Sequence, residues 1–401
     1  MMKRTILVAL IAVLLAACSG RNVAVPPTPT DTTLPPTATT APTDTPEPTL
    51  TRTPTQAPPT ATLEPQDFGP ENFPDNVNPL TGLPVSDPDL LDRRPVSVKI
   101  QMFPRGQRPP WGVSLADIVF DYYQNNGLTR LHALFYGNNA KQVGPIRSAR
   151  LFDGDVVNMY KTILSFGGAD ARIMERLYSA PYAGRLVLEG SSNCPPMCRI
   201  DPNQFNFLVA DTEELSTYAE SKGINNDRQS LDGMKFQHET PSGGDKGVQV
   251  FNRFSISAYS RWDYDEASGR YLRFQDTQED NGQGEDYTPL IDQLNDEQVA
   301  ADNVIVIFVP HEQIYRSASG NSEIIDIKLD IQTTGSGYAF RDGHVYEITW
   351  SRAEAEGVLS ITLPDGSPYP FKPGVTWFEV MGQSSIQNSE AGVWRYEFRL
   401  P

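Results

Sequence analysis

The sequence has little of the chemistry that ordinarily marks an enzyme. Its 401 residues include four histidines and three cysteines. No Gly-x-Ser-x-Gly elbow, His-Glu-x-x-His pair, Ser-x-x-Lys run or Walker phosphate loop occurs, which removes the common hydrolase and nucleotide-binding signatures. His132, His238, His311 and His344 are too dispersed to define a metal site by spacing, so no metal and no cofactor is expected. Positive charge is also scarce: 33 Lys and Arg stand against 50 Asp and Glu, a formal net charge of −17. Such a chain cannot hold nucleic acid or anionic lipid through its overall field, so any anion site must be local. The acids Asp263, Asp265, Asp280, Glu285 and Asp286 match no twelve-residue calcium loop and read as solvated turn residues.

Long apolar runs are absent except at the start, where Lys3 and Arg4 precede Ile6 to Leu15. That run is too short to span a bilayer and reads as a secretory signal. Leu15-Ala16-Ala17-Cys18 resembles the lipobox of bacterial lipoproteins. The resemblance implies cleavage after residue 17 and a diacylglyceryl group on Cys18, whose two chains anchor stably where one does not. Loss of Lys3 and Arg4 would take the charge from −17 to −19. The expected location is the outer face of a bacterial cell membrane, with the membrane met through Cys18. Residues 18–66 are dominated by Pro, Thr and Ala, too poor in apolar mass to offset ordering entropy. At about 3.1 Å per residue this disordered stalk could reach roughly 150 Å if extended.

Beyond it, strand and helix patterns alternate over residues 67–226, which predicts an α+β domain. Strands are expected over 95–100, 117–123, 130–136 and 162–166, with a hairpin at Asn125-Asn126-Gly127, and helices from Leu151, over 169–178 and over 211–222. Polar, Gly-rich residues 227–247 read as a linker, and residues 248–401 as a β-rich domain with turns at Asp342-Gly343, Pro364-Asp365-Gly366 and Pro373-Gly374. Cys194 and Cys198, outside the cytoplasm, suit a small loop-closing disulfide; a redox pair or two free thiols are the alternatives.

One stretch stands out, Val143-Gly144-Pro145-Ile146-Arg147-Ser148-Ala149-Arg150, with the helix opening at Leu151. It aims backbone N–H groups and two guanidinium forks at one place, an arrangement that favours carboxylates and phosphates. Arg147, Ser148 and Arg150, with Arg130 and Lys99, are therefore the candidate ligand-binding residues. The alternative is that the arginines pair with acidic neighbours. A catalytic reading would use His132 as base beside Ser148, with Asp117 or Asp121. Aromatic side chains nearby, Trp111, Tyr122, Tyr123, Tyr136, Phe166 and Tyr182, suit a glycan, a peptide carrying a carboxylate, or plain core packing.

Asn78-Pro79-Leu80-Thr81-Gly82, Arg94 to Ile100, Ala116 to Val119, Gly127 to Arg130, Gly144 to Arg150, Trp350-Ser351-Arg352 and Pro373 to Trp377 resemble the YerB-type bacterial lipoproteins. That family is a pair of domains of unknown function behind a lipobox, and the resemblance runs from Asn78 to the end. The chain departs from the family at Asp121, in place of a glutamate, and at Ser165 to Asp170, in place of a His-x-Gly-Gly-Ser run. The function expected from residues and resemblance together is a lipid-anchored extracytoplasmic module that binds an anionic cell-wall component. A cell-envelope hydrolase or transferase using His132 and Ser148 with an Asp is one alternative, and a structural scaffold another.

Overall fold

The computed structural model describes residues 66–201, 207–320 and 322–400. The signal at 1–17, Cys18 and the Pro/Thr stretch up to residue 65 lie outside them. Most of the expected elements form. β1 (Val96–Gln101), β2 (Ile118–Asn125) and β3 (Leu128–Phe135) are followed by α1 (Leu151–Met159), β4 (Ile163–Phe166), α2 (Ala171–Tyr178) and β5 (Leu186–Leu188). β6 (Met197–Arg199) pairs with β7 (Leu208–Ala210), and α3 (Thr212–Ser221) follows. The β2–β3 turn is Asn126-Gly127, both at positive φ (50° and 77°), the backbone a two-residue hairpin of this twist requires. Asp211 caps α3 by accepting from the N–H groups of Glu213 and Glu214, and α1 buries Phe152, Val156 and Met159.

The second half supplies β8 (Gln249–Arg253), β9 (Tyr259–Asp265), β10 (Arg270–Asp276), β11 (Asn303–Val309), β12 (Thr333–Arg341), β13 (His344–Arg352), β14 (Thr376–Gly382), β15 (Ile386–Glu390) and β16 (Val393–Glu397). Of the described residues 41% are strand and 13% helix. The expectation of an α+β first half and a β-rich second half therefore holds in coarse form, with more sheet than the sequence pattern suggested.

The two halves share one sheet. An 11-stranded sheet runs β13-β12-β11-β14-β2-β3-β1-β4-β5 along its main path, so second-half strands continue directly into first-half strands. The join is the parallel pair β14 and β2, in register from Thr376 opposite Ile118 to Val380 opposite Tyr122. A 7-stranded sheet, containing β10-β9-β8-β16-β15, packs against it. Residues read as a linker also pair: Lys235–Phe236 with Pro370–Phe371, and Asp245–Lys246 with Val345 and His344.

β2 is therefore a central strand covered on both faces, and its first seven residues are buried. Side chains alternate across a strand. Phe120 and Tyr122 face α1, with ring centroids 5.8 and 4.5 Å from Phe152. Asp121 faces the 7-stranded sheet, where it meets Arg273.

Candidate functional site

The Gly144 to Arg150 run is an extended segment clamped on both sides. Gln101 N–H donates to Pro145 O (2.8 Å), Arg147 N–H to Lys99 O (3.0 Å), Ile146 N–H to Leu208 O (2.7 Å) and Ala149 N–H to Gly168 O (2.8 Å). Gly144 permits this closeness, because a Cβ there would lie 2.8 Å from Leu208 O. Arg150 precedes the helix, and its N–H donates to Asp153 Oδ2 (2.6 Å), one half of a capping box. The backbone N–H groups of residues 147, 149 and 150 are thus all engaged inside the protein. The N–H share of the expected anion clamp is corrected accordingly: an anion here would meet side chains.

Beneath the run lies a buried polar cluster on the α1 face of the sheet. Asp153, from the first turn of α1, accepts from Tyr122 (2.7 Å) and lies 2.8 Å from His132 Nδ1 and 3.3 Å from Lys99 Nζ. Lys99 and His132 are register partners on β1 and β3, which brings them to one spot. Burial alone would push the Asp153 carboxyl up, but Lys99 and His132 outweigh it and hold the group well below the usual carboxylate range. Burial brings Lys99 down to about 7 and lowers His132 as well.

Two guanidiniums sit over this cluster. Arg130 donates to Ser148 O (2.5 Å), and Arg150 donates to Ala149 O (2.9 Å) and to Gln124 Oε1 (2.7 Å). All of these acceptors are neutral. The Nε atoms of both arginines are buried with no hydrogen-bond partner. Burial, and then Arg150 alongside, hold the Arg130 guanidinium well below its ordinary range. Burial likewise lowers Arg150 and Arg147, the latter also through its neighbour Arg199.

The catalytic candidates do not converge. His132 is wholly buried, its Nδ1 is committed to Asp153, and its Nε2 has no partner, so it holds no hydrogen bond to Ser148. Asp121 lies on the opposite face of the sheet, with Arg273 (2.5 Å) and, beside it on β14, Glu379. Asp117 is structural. It accepts from Asn78 Nδ2 (2.9 Å) and from the N–H groups of Tyr136 and Gly137 (3.1 Å for Gly137), and burial raises it to about 6. This joins the Asn78 to Gly82 stretch to Pro373-Gly374, since Gly374 N–H donates to Thr81 O (2.8 Å).

Cys194 and Cys198 are joined by a disulfide that closes a short loop. Tyr122, Tyr136 and Phe166 are core residues. The turn acid Glu285 is not simply solvated; it pairs with Arg253 (2.8 Å) and Arg395 (2.9 Å). Sequence reasoning missed Asp153, Tyr122 as a polar partner, and Gln124. Only Arg150-x-x-Asp153, a capping spacing, could have signalled the first.

Comparison with known proteins fits this architecture. A protein of unknown function (DUF3048) matches in two parts, its N-terminal domain over residues 80–225 and its C-terminal domain over residues 250–378. A Bacillus subtilis (strain 168) protein named "Putative lipoprotein YerB" is 27% identical over 311 residues, 76% of this chain and 85% of that one. The crystal structure of YerB protein from Bacillus subtilis superposes with a TM-score of 0.62 at 25% identity, covering 76% of this chain and 96% of that chain. The chain belongs to the YerB-like family, built from paired N- and C-terminal domains of unknown function.

Proposed function

We propose that the protein is a lipid-anchored extracytoplasmic module that binds an anionic component of the cell envelope at Arg130 and Arg150. The observation that carries this reading is a local excess of positive charge in an acidic protein. Among the described residues, Lys99, Arg130 and Arg150 gather around the buried carboxylate Asp153, with Asp170 a weaker influence on Arg150, and both guanidiniums hydrogen-bond only to neutral acceptors. Neighbouring half-buried guanidiniums repel each other, and an incoming carboxylate or phosphate relieves that repulsion while taking bidentate hydrogen bonds. The lipoprotein relative supports the membrane anchor at Cys18. In the described residues no helix is long and apolar enough to cross a membrane. The buried His132, bonded to Asp153, weighs against the hydrolase or transferase alternative.

The test is calorimetric titration of the mature chain carrying Cys18→Ser with a peptidoglycan stem peptide, with poly(glycerol phosphate) and with neutral dextran. Saturable binding of one of the two anions, lost in Arg130→Gln plus Arg150→Gln, is the expected result. No saturation by either anion, or equal binding of dextran, would sink the reading.

A further inference from the structure

A second basic cleft lies elsewhere on the molecule and shares no residue with the Arg130 and Arg150 site. It has a volume of about 700 Å³ and is lined by Arg94, Arg185, Leu186, Tyr218, Lys222 and Glu356 among others. Three cations thus face one carboxylate, in a chain whose acids outnumber its bases. The cations differ in what holds them. Arg94 is fixed by bonds to Asn225 O (2.5 Å), Lys161 O (3.1 Å) and Asn225 Oδ1 (3.2 Å), and serves as a standing positive field.

Arg185 is different. It is half-buried, yet its guanidinium makes a single long hydrogen bond, to Val157 O at 3.3 Å, and no carboxylate of the described residues lies within ion-pair distance of it. A guanidinium carries five N–H donors in a planar fork, so most of this one's capacity is open to the cleft. Burial, and then repulsion from Arg94, bring it down to about 10, the electrostatic mark of a cation short of counter-charge.

The opposite demand comes from the rest of the wall. Tyr218 is anchored through its hydroxyl to Asn193 Oδ1 (2.9 Å), which keeps the ring in place, and Lys222 Nζ lies 5.2 Å from that ring's centroid. Leu186 adds an apolar surface beside it. A bare anion would fill only a fraction of this volume, since a water molecule takes about 30 Å³. The remaining space, walled by an aromatic ring and a hydrogen-bond acceptor in Glu356, suits a ring bearing both C–H faces and hydroxyls.

We propose that this cleft is a binding site for an anionic saccharide of one or two rings, its carboxylate or phosphate on Arg185 and its sugar body against Tyr218. Both kinds of acidic group share the chemistry that a guanidinium fork reads, and the probes separate them.

The mature chain carrying Cys18→Ser is titrated with glucuronate, glucose 6-phosphate, glucose and inorganic phosphate, with thermal unfolding measured in parallel. At least one of the two sugar anions should bind, with glucose, which loses the charge-assisted hydrogen bond, and inorganic phosphate, which keeps it but loses the contact with Tyr218, each about tenfold weaker or more. Arg185→Gln should weaken the sugar anion by a similar factor, and exposed Lys222→Gln by less, whereas Arg130→Gln should leave it unchanged. If Arg185→Gln lowers the melting temperature, Lys222→Gln alone decides. Absence of saturation by both sugar anions, inorganic phosphate binding as tightly as the sugar, or affinity untouched by Arg185→Gln and Lys222→Gln would each overturn the proposal. Loss with Arg130→Gln would return the binding to the first site.

Discussion

The two faces of β2 bury charge in opposite ways. On the α1 face, Lys99, Arg130 and Arg150 surround one carboxylate, Asp153, at the edge of a half-open surface. On the other face, two carboxylates, Asp121 and Glu379, share one guanidinium, Arg273, in the core between the sheets. Arg273 bonds Asp121 (2.5 Å) and Glu379 (2.8 Å) and lies 4.4 Å from the Trp377 ring centroid; Trp262 Nε1 also donates to Glu379 (2.8 Å). The second cluster is closed, with its members nearly inaccessible to water. The first leaves cations with unmet hydrogen-bonding capacity near solvent. The difference teaches which polar cluster holds the molecule together and which could meet a ligand.

The comparison breaks most sharply at Arg273. Arg273→Met would leave two carboxylates side by side with no cation, and removing one partner of a buried ion pair costs about 3–5 kcal/mol. Denaturant unfolding should show this loss. Replacing all three at once, Arg273→Met with Asp121→Leu and Glu379→Leu, should recover most of it, because an apolar core of similar volume is often as stable. A triple variant as unstable as the single one would mean the triad does more than satisfy its own charges.

Asp153→Asn is the matching variant on the α1 face and should cost somewhat less, about 2–3 kcal/mol, since Lys99 can deprotonate more readily and the arginines reach water. Adding Lys99→Met should restore part of that loss in the same unfolding measurement. A loss equal to or greater than that of Arg273→Met would erase the distinction between a closed and an open cluster.

How far sequence alone reached follows from the same residues. The extended run, the helix beginning at Leu151 and the sharing of one face by Arg130 and His132 follow from local signals: Gly-Pro, a capping spacing and strand alternation. Lys99 was legible as a candidate but not as a buried one. Its alternation with Val98 and Ile100 suggests one polar face, whereas β1 is covered on both sides and all six residues are buried. The Asp121, Arg273 and Glu379 triad could not be seen, because its bonds span 152 and 106 residues and depend on β14 entering the sheet beside β2. Nothing in the spacing of one strand announces its partner across the chain midpoint. For the same reason nothing in the sequence pattern announces that strands from before and after residues 227–247 share one sheet.

The faces should also separate by pH. Burial raises Glu379 to about 7, so the folded protein holds a proton there that the unfolded chain releases near its ordinary value. Stability from this group is complete below about pH 4.5 and is lost as pH rises towards 7. Asp153 has the opposite sign: its carboxyl is held low, so its contribution is present above about pH 4 and lost as the solution is acidified. Unfolding free energies followed from pH 4 to 8 should fall through the upper window in the natural protein and fall less steeply in Glu379→Gln, where Asp117, raised to about 6, keeps part of the slope. A Glu379→Gln profile as steep between pH 5 and 7 as that of the natural protein would assign that window to other groups.

The smallest stability effect is expected where the binding reading depends most on its outcome. Arg130→Gln keeps a donor for Ser148 O while removing a buried guanidinium that Arg150 alongside depresses. The lost charge-assisted hydrogen bond and the relieved repulsion act in opposite directions, so unfolding should change by no more than about 0.5 kcal/mol. An arginine that served the fold as Arg273 does would behave otherwise, because its carboxylate partners would be left buried and bare. Among the described residues Arg130 has no such partner within ion-pair distance; its bond goes to a backbone carbonyl. If Arg130→Gln leaves the melting temperature within a degree or two while removing anion binding, the open cluster is a recognition surface held up by Asp153 beneath it. A loss approaching that of Asp153→Asn would instead make Arg130 part of the same structural unit, and the two faces of β2 would then differ in the sign of their charge alone.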